Sequence, residues 1–247
     1  MKKNFLIILA FFITFANINQ NIFADNFNYN VTGAGDAKEN IQPFKNDNKV
    51  LFIVDFSNSM NEKIGNQTKL QMAISTIENL LPQIPKGTQI GLRIYGHRAG
   101  FTYVDGCTAT KLMVPLGHNN TENIKNALYT SPAKGWTPIT YSLKQAVNKD
   151  FAGISGTKRI ILLTDGGENC DESPCTYAIS LMREREDIQI DVIALDIYDA
   201  EANKQLRCTA ITTSGKFYTA NTQQELKQSL SESLNIDKDV KGTIKIK

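Results

Sequence analysis

The stretch from Val50 to Met60 reads Val-Leu-Phe-Ile-Val-Asp-Phe-Ser-Asn-Ser-Met, an apolar run that stops at one carboxylate and two hydroxyls. A run rich in Val and Ile, without alternation of polar and apolar residues, predicts a strand buried on both faces at the centre of a parallel sheet. Ligand sites in such sheets lie outside the carboxyl ends of the strands. Asp55, Ser57 and Ser59 are therefore expected at a functional edge of the sheet.

These three side chains present only oxygen atoms to a ligand. Mg²⁺ prefers oxygen ligands in octahedral geometry and keeps several waters, so one carboxylate and two hydroxyls can form part of its coordination shell. Asp and Ser also commonly cap helices and close turns. The stretch alone leaves both interpretations open.

Apolar runs alternate with segments of helical periodicity along the rest of the chain. Further strands are predicted over residues 89–95, 111–114, 159–164, 189–195 and 216–219. Helices are predicted over residues 70–80, 121–128, 137–146, 173–182, 200–212 and 222–234. Strands that alternate with helices in this way indicate an α/β fold, a doubly wound sheet covered by helices on both faces.

A second carboxylate repeats the design of the opening stretch. Residues 159–164 form an apolar run that ends in Asp165, within Thr-Asp-Gly. Thr137 precedes Pro138 and is expected to cap the helix that this proline begins. Because parallel strands joined by helices place their carboxyl ends on one edge, Asp55 and Asp165 can converge if their strands are neighbours. Together with the three hydroxyls they would form a small oxygen-lined cation site.

The two ends of the chain differ in character from its middle. Lys2 and Lys3 precede an apolar run over residues 5–16, which is too short to span a membrane and is typical of a secretory signal peptide. An uncleaved anchor is the alternative. The predicted organisation is a signal peptide (1–24), an N-terminal linker (25–48), one domain (49–236) and a C-terminal tail (237–247).

The charge balance excludes some classes of partner. The chain has 27 Lys and Arg and 25 Asp and Glu, and loss of residues 1–24 would remove two lysines and leave 25 of each. A neutral chain has no basic excess with which to attract nucleic acid or anionic lipid. No later segment is apolar enough to span a membrane. A secreted or periplasmic protein without a membrane span in its mature chain is therefore expected.

Four cysteines are compatible with disulfides in such a compartment. They are Cys107, Cys170, Cys175 and Cys208. An even number in a secreted chain favours disulfides, and four cysteines allow three connectivities. Cys170 and Cys175 have the spacing of a metal clip, but no second pair or neighbouring His completes one.

The sequence contains no recognisable catalytic set. It has no Gly-x-Ser-x-Gly elbow, and only His97 and His118 are available as imidazole bases, so a binding protein is favoured over an enzyme. One alternative is a Mg²⁺-dependent hydrolase of phosphate esters with Asp55 as nucleophile. Such phosphatases usually carry a second acid two residues later, where this chain has Ser57. Another alternative is a purely structural domain that a metal ion stabilises.

The ordered set of Asp55, Ser57, Ser59, Thr137 and Asp165 resembles the metal-ion-dependent adhesion site (MIDAS) of von Willebrand factor type A (VWA) domains. The family carries Asp-x-Ser-x-Ser after its first strand, a Thr in a later loop and an Asp in a Thr-Asp-Gly segment. The resemblance runs from about Lys49 to near Leu234. Two segments are similar to those of bacterial secreted or periplasmic members of the family. They are Tyr-Gly-His-Arg at residues 95–98 and the segment from Leu163 to Cys170.

The resemblance implies a mostly parallel six-stranded sheet with one antiparallel edge strand, here residues 111–114. It also implies that the five residues hold Mg²⁺, with Mn²⁺ or Ca²⁺ as substitutes, and leave one position open for an Asp or Glu carboxylate of a protein partner. His97, Arg98 and Glu168 are candidates for the rim of this site, with a surface turn or solvated loop as the alternative. The implied topology favours disulfides Cys175–Cys208 and Cys107–Cys170, with a local Cys170–Cys175 bridge as the rival.

Overall fold

A computed structural model describes residues 48–236, which fold around one twisted sheet. The strands are β1 (Lys49–Asp55), β2 (Lys63–Ile64), β3 (Gln67–Thr68), β4 (Gln89–Tyr95), β5 (Thr110–Gly117), β6 (Lys158–Thr164), β7 (Ile188–Leu195) and β8 (Phe217–Ala220). The helices are α1 (Lys69–Leu80), α2 (Tyr103–Cys107), α3 (Thr121–Leu128), α4 (Ile139–Gln145), α5 (Pro174–Leu181), α6 (Ala200–Thr212) and α7 (Gln223–Ser233).

The main sheet has six strands in the order β5-β4-β1-β6-β7-β8, and β2 pairs with β3 in a separate hairpin. All neighbours in the main sheet are parallel except β4 and β5. The predicted α/β class, the doubly wound sheet and its antiparallel edge strand are confirmed. That edge strand is longer than predicted, because it extends from Thr110 to Gly117.

Every residue of β1 is buried, which explains its unbroken apolar run. Val50, Phe52 and Val54 face one core with α1, α3 and α7, whereas Leu51 and Ile53 face a second core with α4, α5 and α6. A central strand that has neighbours on both sides and helices over both faces has no surface left for polar residues. The opening stretch therefore determines where the sheet has its centre.

Most of the predicted helix starts are confirmed by side-chain caps. Thr68 caps α1 in a reciprocal capping box with Gln71, Ser173 accepts a hydrogen bond at the start of α5, and Thr222 does so at the start of α7. Neither α2 nor the β2–β3 hairpin was predicted, because each is too short to show a periodicity. The last strand is displaced by one residue from its predicted position.

The prediction that Thr137 caps a helix is wrong. Pro138 occupies the cap position with φ −79° and ψ 68°, so α4 begins at Ile139 and no side chain caps it. Proline was expected at the first helical position, but its ψ angle here is not helical. The hydroxyl of Thr137 is consequently not used in helix capping.

The structure contains the two disulfides that the resemblance implied, Cys107–Cys170 and Cys175–Cys208. Their Cα atoms are 5.5 Å and 5.3 Å apart, within the usual range for a disulfide. The first joins the end of α2, in the connection between β4 and β5, to the loop after β6. The second joins α5 to α6.

We expect peptide mapping of the unreduced protein to recover these same two cross-linked pairs. The two helices that carry Cys175 and Cys208 pack side by side on one face of the sheet, which holds their sulfur atoms together. Mass spectrometry of a digest made under alkylating conditions checks the result. Recovery of a peptide in which Cys170 is linked to Cys175 would contradict it.

Several expectations concern segments that lie outside the described residues. These are the signal peptide (1–24), nearly all of the N-terminal linker (25–48) and the C-terminal tail (237–247). Among the helices between residues 48 and 236, none combines the length and the apolar character that crossing a bilayer requires.

Candidate metal site

The pairing of β1 with β6 brings the two predicted carboxylates to one edge of the sheet. The strands are parallel neighbours, with Val54 opposite Leu163, so Asp55 at the end of β1 and Asp165 after β6 emerge together. Both side chains are buried. The convergence that depended on strand order is therefore present in the structure.

A continuous chain of oxygen atoms links the loop after β1 to Asp165. The Ser57 and Ser59 hydroxyl oxygens lie 3.0 Å apart, and the Ser59 hydroxyl donates to Oδ1 of Asp165 at 2.7 Å. Neighbouring ligands in an octahedral Mg²⁺ shell with bonds of 2.0–2.1 Å are about 2.9 Å apart. The Ser57–Ser59 and Ser59–Asp165 oxygen pairs thus each have a spacing compatible with neighbouring ligands of one ion.

Asp55 lies behind these oxygens, and both of its carboxylate oxygens accept hydrogen bonds. Oδ1 accepts from the backbone N–H of Ser57 at 2.6 Å, and Oδ2 accepts from the Tyr95 hydroxyl at 3.0 Å and the Thr164 hydroxyl at 2.8 Å. Burial and the nearby charge of Asp165 raise the pKa of Asp55 to about 6, although the hydrogen bonds from Ser57 and Thr164 lower it. The carboxylate is thus buried and is held in place by hydrogen bonds from Ser57, Tyr95 and Thr164.

The helix-cap interpretation of this stretch is not supported. Ser57 makes no side-chain hydrogen bond to the short helical turn that follows it, and Thr68 caps α1 instead. Of the two structural roles considered for this stretch, only turn closure is observed, since Asp55 accepts a hydrogen bond from the Ser57 N–H. The serine hydroxyls remain directed toward each other and toward Asp165.

Asp165 has one carboxylate oxygen that is left without a hydrogen bond. Oδ2 is buried and receives none from the described residues, although the Lys69 ammonium lies 3.2 Å away. Burial raises the pKa of Asp165, while the Ser59 hydrogen bond and the charge of Lys69 lower it. A buried carboxylate oxygen needs a charged or hydrogen-bonding partner, and here the Lys69 ammonium occupies the side from which a bound cation would compete for it.

Lys69 is a component of the site that the sequence did not reveal. Its side chain is buried, and its ammonium lies 2.8 Å from Glu62, 3.2 Å from Asp165 and 3.5 Å from Asp196. Burial alone would lower the pKa of Lys69, but Glu62 and Asp165 hold it above its ordinary value. The one available signal was a Lys at the first position of a helix, where the helix dipole disfavours positive charge.

Thr137 lies in a loop that runs alongside the loop of the serines. Gly135 forms a parallel bridge with Ser57 and accepts the N–H of Asn58 at 3.0 Å. The N–H of Thr137 donates to Asn169 at 2.7 Å. In the part of the chain that the structure describes, no hydrogen bond joins the Thr137 hydroxyl to the other four predicted residues. The structure places Thr137 near the site through its backbone neighbours.

The close approach of these two loops requires a glycine at position 96. Gly96 has φ +70°, and a Cβ on it would lie 2.6 Å from the Ser57 nitrogen and 2.7 Å from the Trp136 carbonyl oxygen. Its own carbonyl accepts the N–H of Gly135 at 2.7 Å. A side chain at this position would push the Thr137 loop away from the serines.

The three residues expected at the rim have different environments. His97 is half-buried, and burial followed by the charges of Arg98 and Lys111 lowers its pKa. Arg98 forms an exposed ion pair with Asp105. Glu168 accepts the backbone N–H groups of Thr140 at 2.7 Å and Cys170 at 3.0 Å, so it fixes the adjoining loop from within.

The donor set at this edge suits a hard cation. It contains only oxygen, and its two carboxylates carry the negative charge while hydroxyls supply the remaining ligands. Between residues 48 and 236 there is no group of three or more His, Cys, Asp or Glu side chains arranged to hold a metal ion.

Residues 49–232 match the model of the von Willebrand factor type A domain family. The chain is 28% identical over 189 residues to the uncharacterized protein YwmD of Bacillus subtilis (strain 168). The aligned region covers 74% of this chain and 83% of YwmD. It is also 28% identical over 187 residues to YwmC of the same organism. That aligned region covers 74% of this chain and 81% of YwmC.

Solved structures share the fold at low sequence identity. A von Willebrand factor type A protein from Catenulispora acidiphila has a TM-score of 0.61 at 20% identity, over 76% of this chain and 42% of that chain. Proximal thread matrix protein 1 of the mussel byssus, with a zinc-occupied MIDAS motif, has a TM-score of 0.59 at 22% identity. The match covers 76% of this chain and 45% of that chain.

A bacterial surface protein is also similar. The pilus adhesin SpaC from Lactobacillus rhamnosus GG, in its open conformation, has a TM-score of 0.60 at 13% identity, over 76% of this chain and 30% of that chain. This chain therefore spans less than half the length of each of the three solved structures. At these identities the likeness establishes the fold.

Proposed function

The chain belongs to the von Willebrand factor type A domain family, and from this premise we propose that it is a non-catalytic module that binds a protein partner through a Mg²⁺ ion. The ion would be held by Asp55, Ser57, Ser59, Thr137 and Asp165. Mn²⁺ or Ca²⁺ could take its place, since both accept oxygen ligands. The zinc-occupied motif of the mussel protein supports a metal at this position of the fold.

The observation that carries the proposal is the chain of oxygens from Ser57 through Ser59 to Asp165. The Ser57 and Ser59 hydroxyls share a hydrogen bond, and the Ser59 hydroxyl donates to the carboxylate. Oδ2 of Asp165 lies at the end of the same chain, is buried, and has the Lys69 ammonium 3.2 Å away. Both features agree with a site that is shaped for a cation.

The residues of the site have separate tasks in this proposal. Ser57, Ser59 and Asp165 supply oxygens directly, and the Thr137 hydroxyl is available from the adjoining loop. Asp55 contributes negative charge and fixes the Ser57 backbone, since both of its oxygens are already hydrogen-bonded. Neutral hydroxyls leave a bound cation with enough Lewis acidity to attract one more anionic oxygen.

The partner group that fits this remaining position is an Asp or Glu carboxylate. A hard cation prefers a charged oxygen ligand, and a protein surface offers carboxylates in quantity. The pilus adhesin among the structural relatives supports a role in attachment to proteins. The near balance of 27 basic and 25 acidic side chains gives no support to a nucleic-acid partner.

We place the protein outside the cytoplasm, in the periplasm or the secreted fraction. Its two disulfides are compatible with an oxidising compartment. Residues 1–24 have the composition of a secretory signal peptide. A pilus adhesin among the structural relatives agrees with this location.

A hydrolase with Asp55 as nucleophile is not favoured by the geometry. The Asp55 carboxylate is fully buried, and each of its oxygens accepts at least one hydrogen bond. A nucleophile needs a lone pair that can reach the substrate. Asp55 is better suited to supporting the loop of the serines.

Calorimetry tests the proposal most directly. We expect the folded, disulfide-bonded chain to take up one Mg²⁺, and we expect the immobilised domain to retain carboxylate-bearing peptides that a chelator releases. The absence of Mg²⁺ uptake by the folded chain would reject the proposed function. Uptake of Mg²⁺ without chelator-sensitive binding of any peptide would instead support a structural metal site.

Replacing Lys69 with methionine is expected to tighten Mg²⁺ binding. The Lys69 ammonium lies beside the Asp165 carboxylate, so it repels an incoming cation and neutralises part of the charge that would attract one. We expect the dissociation constant to fall by about tenfold, equivalent to about 1.4 kcal/mol. Titration calorimetry measures the change.

Lys204 provides a matched control for this substitution. Its side chain is 79% exposed and pairs loosely with Glu201 on α6. Lys204→Met should leave Mg²⁺ affinity unchanged. Weaker Mg²⁺ binding by a folded Lys69→Met protein would mean that Lys69 supports the ion site and does not compete with it.

A further inference from the structure

Four apolar side chains are exposed together beside the candidate metal site. Phe101 is fully exposed, Val104 is exposed to about two thirds of its surface, and Tyr103 and Trp136 are each exposed to about two fifths. The Tyr103 and Trp136 rings meet edge to face with centroids 5.4 Å apart. We call these four residues the aromatic patch. Exposed apolar clusters of this kind mark interaction sites more often than isolated apolar residues do.

The aromatic patch is held in a fixed shape. Its loop is covalently joined to the loop after β6 by the Cys107–Cys170 disulfide, and the Tyr103 hydroxyl donates to Asp171 at 2.7 Å. The Trp136 ring lies against Gly106, where a Cβ would approach it to 2.7 Å. An exposed surface that is already rigid loses little conformational entropy when a partner binds.

The patch is continuous with the candidate metal site. Trp136 directly precedes Thr137, and the same loop is bridged to Ser57 through Gly135. On the β7 side of the same edge, Glu168, Glu172, Asp199 and Glu201 line a cleft. A partner that brings a carboxylate to the ion would be repelled by that acidic cleft. The aromatic patch, on the other side of Thr137, offers such a partner an uncharged surface.

We infer that the aromatic patch is the specificity surface of this domain, and that it receives an aromatic or large aliphatic side chain next to the partner's metal-binding carboxylate. This inference rests on the proposed function. The ion would anchor the carboxylate, while Phe101, Val104 and the Trp136–Tyr103 pair would contact the apolar neighbour. Tyr and Trp are the residues that most often dominate the energetics of such contacts.

Selection from a displayed library of random short peptides tests the inference. The immobilised full chain is panned in Mg²⁺, and bound peptides are eluted with a chelator. We expect the eluted peptides to share an Asp or Glu with an aromatic or large aliphatic residue a few positions away. A selected peptide should bind Phe101→Ser/Val104→Ser at least about tenfold more weakly, a loss of about 1.4 kcal/mol.

Two controls distinguish an effect of the patch from an effect on the metal site and from non-specific apolar binding. The Phe101→Ser/Val104→Ser protein should take up Mg²⁺ with unchanged affinity. Ile211→Ser removes an exposed apolar side chain at the far end of α6 and should leave peptide affinity unchanged.

Eluted peptides that share an acidic residue but no apolar neighbour would overturn the inference while leaving the proposed function intact. If the peptides stay bound after the chelator is added, the proposed function itself is overturned.

Sedimentation velocity and thermal unfolding identify other occupants of the patch. A chain that dimerises, and becomes monomeric in the Phe101→Ser/Val104→Ser variant, would show that a second copy covers the patch. A marked fall in the melting temperature of that variant would show that a segment of the same chain covers it. Either result would overturn the inference.

Discussion

Replacing Asp165 with alanine is expected to abolish Mg²⁺ binding by a domain that stays folded. Asp165 supplies the oxygen at the end of the Ser57–Ser59 chain, and its second oxygen is buried with the Lys69 ammonium 3.2 Å away. Loss of a charged ligand from an oxygen-only site should raise the dissociation constant at least about a hundredfold, or about 2.7 kcal/mol. Titration calorimetry measures the loss.

The domain should tolerate this substitution because Asp165 is not needed to hold the sheet together. Its burial raises its pKa, which means that the folded chain pays a desolvation cost for the charged form. Lys69 retains Glu62 and Asp196 as partners at 2.8 Å and 3.5 Å. The melting temperature without metal should therefore change little.

Thermal unfolding with and without Mg²⁺ distinguishes loss of the site from loss of the fold. The unsubstituted chain should melt at a higher temperature in Mg²⁺, because an ion that binds only the folded state stabilises it. Asp165→Ala should show no such increase. Glu186→Ala, which removes an exposed carboxylate just before β7 at the opposite edge, should behave like the unsubstituted chain. Unchanged Mg²⁺ uptake by Asp165→Ala would refute the site assignment.

Replacing Arg93 with methionine is expected to reduce the free energy of unfolding by about 3–5 kcal/mol, since it leaves a buried carboxylate unpaired. Arg93 extends from β4 into the second core and pairs with Asp150. Its Nε and Nη2 atoms donate to the two Asp150 oxygens at 2.6 Å and 2.7 Å, and Nη1 donates to Thr110 at 3.1 Å. The side chains of Arg93 and Asp150 are only 5% and 4% exposed. Urea unfolding measures the change.

Two further variants test whether the unpaired charge is the cause. Arg93→Met/Asp150→Leu should regain much of the lost stability, because replacing both members of a buried pair by apolar residues is often close to neutral. Arg98→Met breaks an exposed pair with Asp105 and should cost less than about 1 kcal/mol. A double variant as unstable as Arg93→Met would indicate that shape, and not the isolated charge, accounts for the effect.

Sequence patterns predicted those parts of the fold that depend on local rules. The apolar run of β1 gave its double-sided burial, and the Ser173-Pro174 and Thr222 signals gave the starts of α5 and α7. Helix caps and buried strands each follow from a few neighbouring residues. Thr137 shows the limit of such rules, because the ψ angle of Pro138 moved the helix start by one residue.

The environment of the ion site could not be predicted in the same way. Lys69 and Tyr95 both contact its carboxylates, yet in the sequence they are a helix-start lysine and the last residue of an apolar strand. The aromatic patch likewise depends on a disulfide that joins residues 63 positions apart. Contacts over such separations depend on how whole elements pack, which no local pattern encodes.

The sequence by itself determined the α/β class, the identity of the oxygen-bearing side chains and their position at strand ends. Only the tertiary structure decided that Ser59 reaches Asp165 across 106 residues, because that contact requires β6 to pair directly with β1. It also decided that Lys69 occupies the same site. Strand order and helix packing follow from burial summed over the whole domain, whereas strand ends and caps follow from the residues next to them.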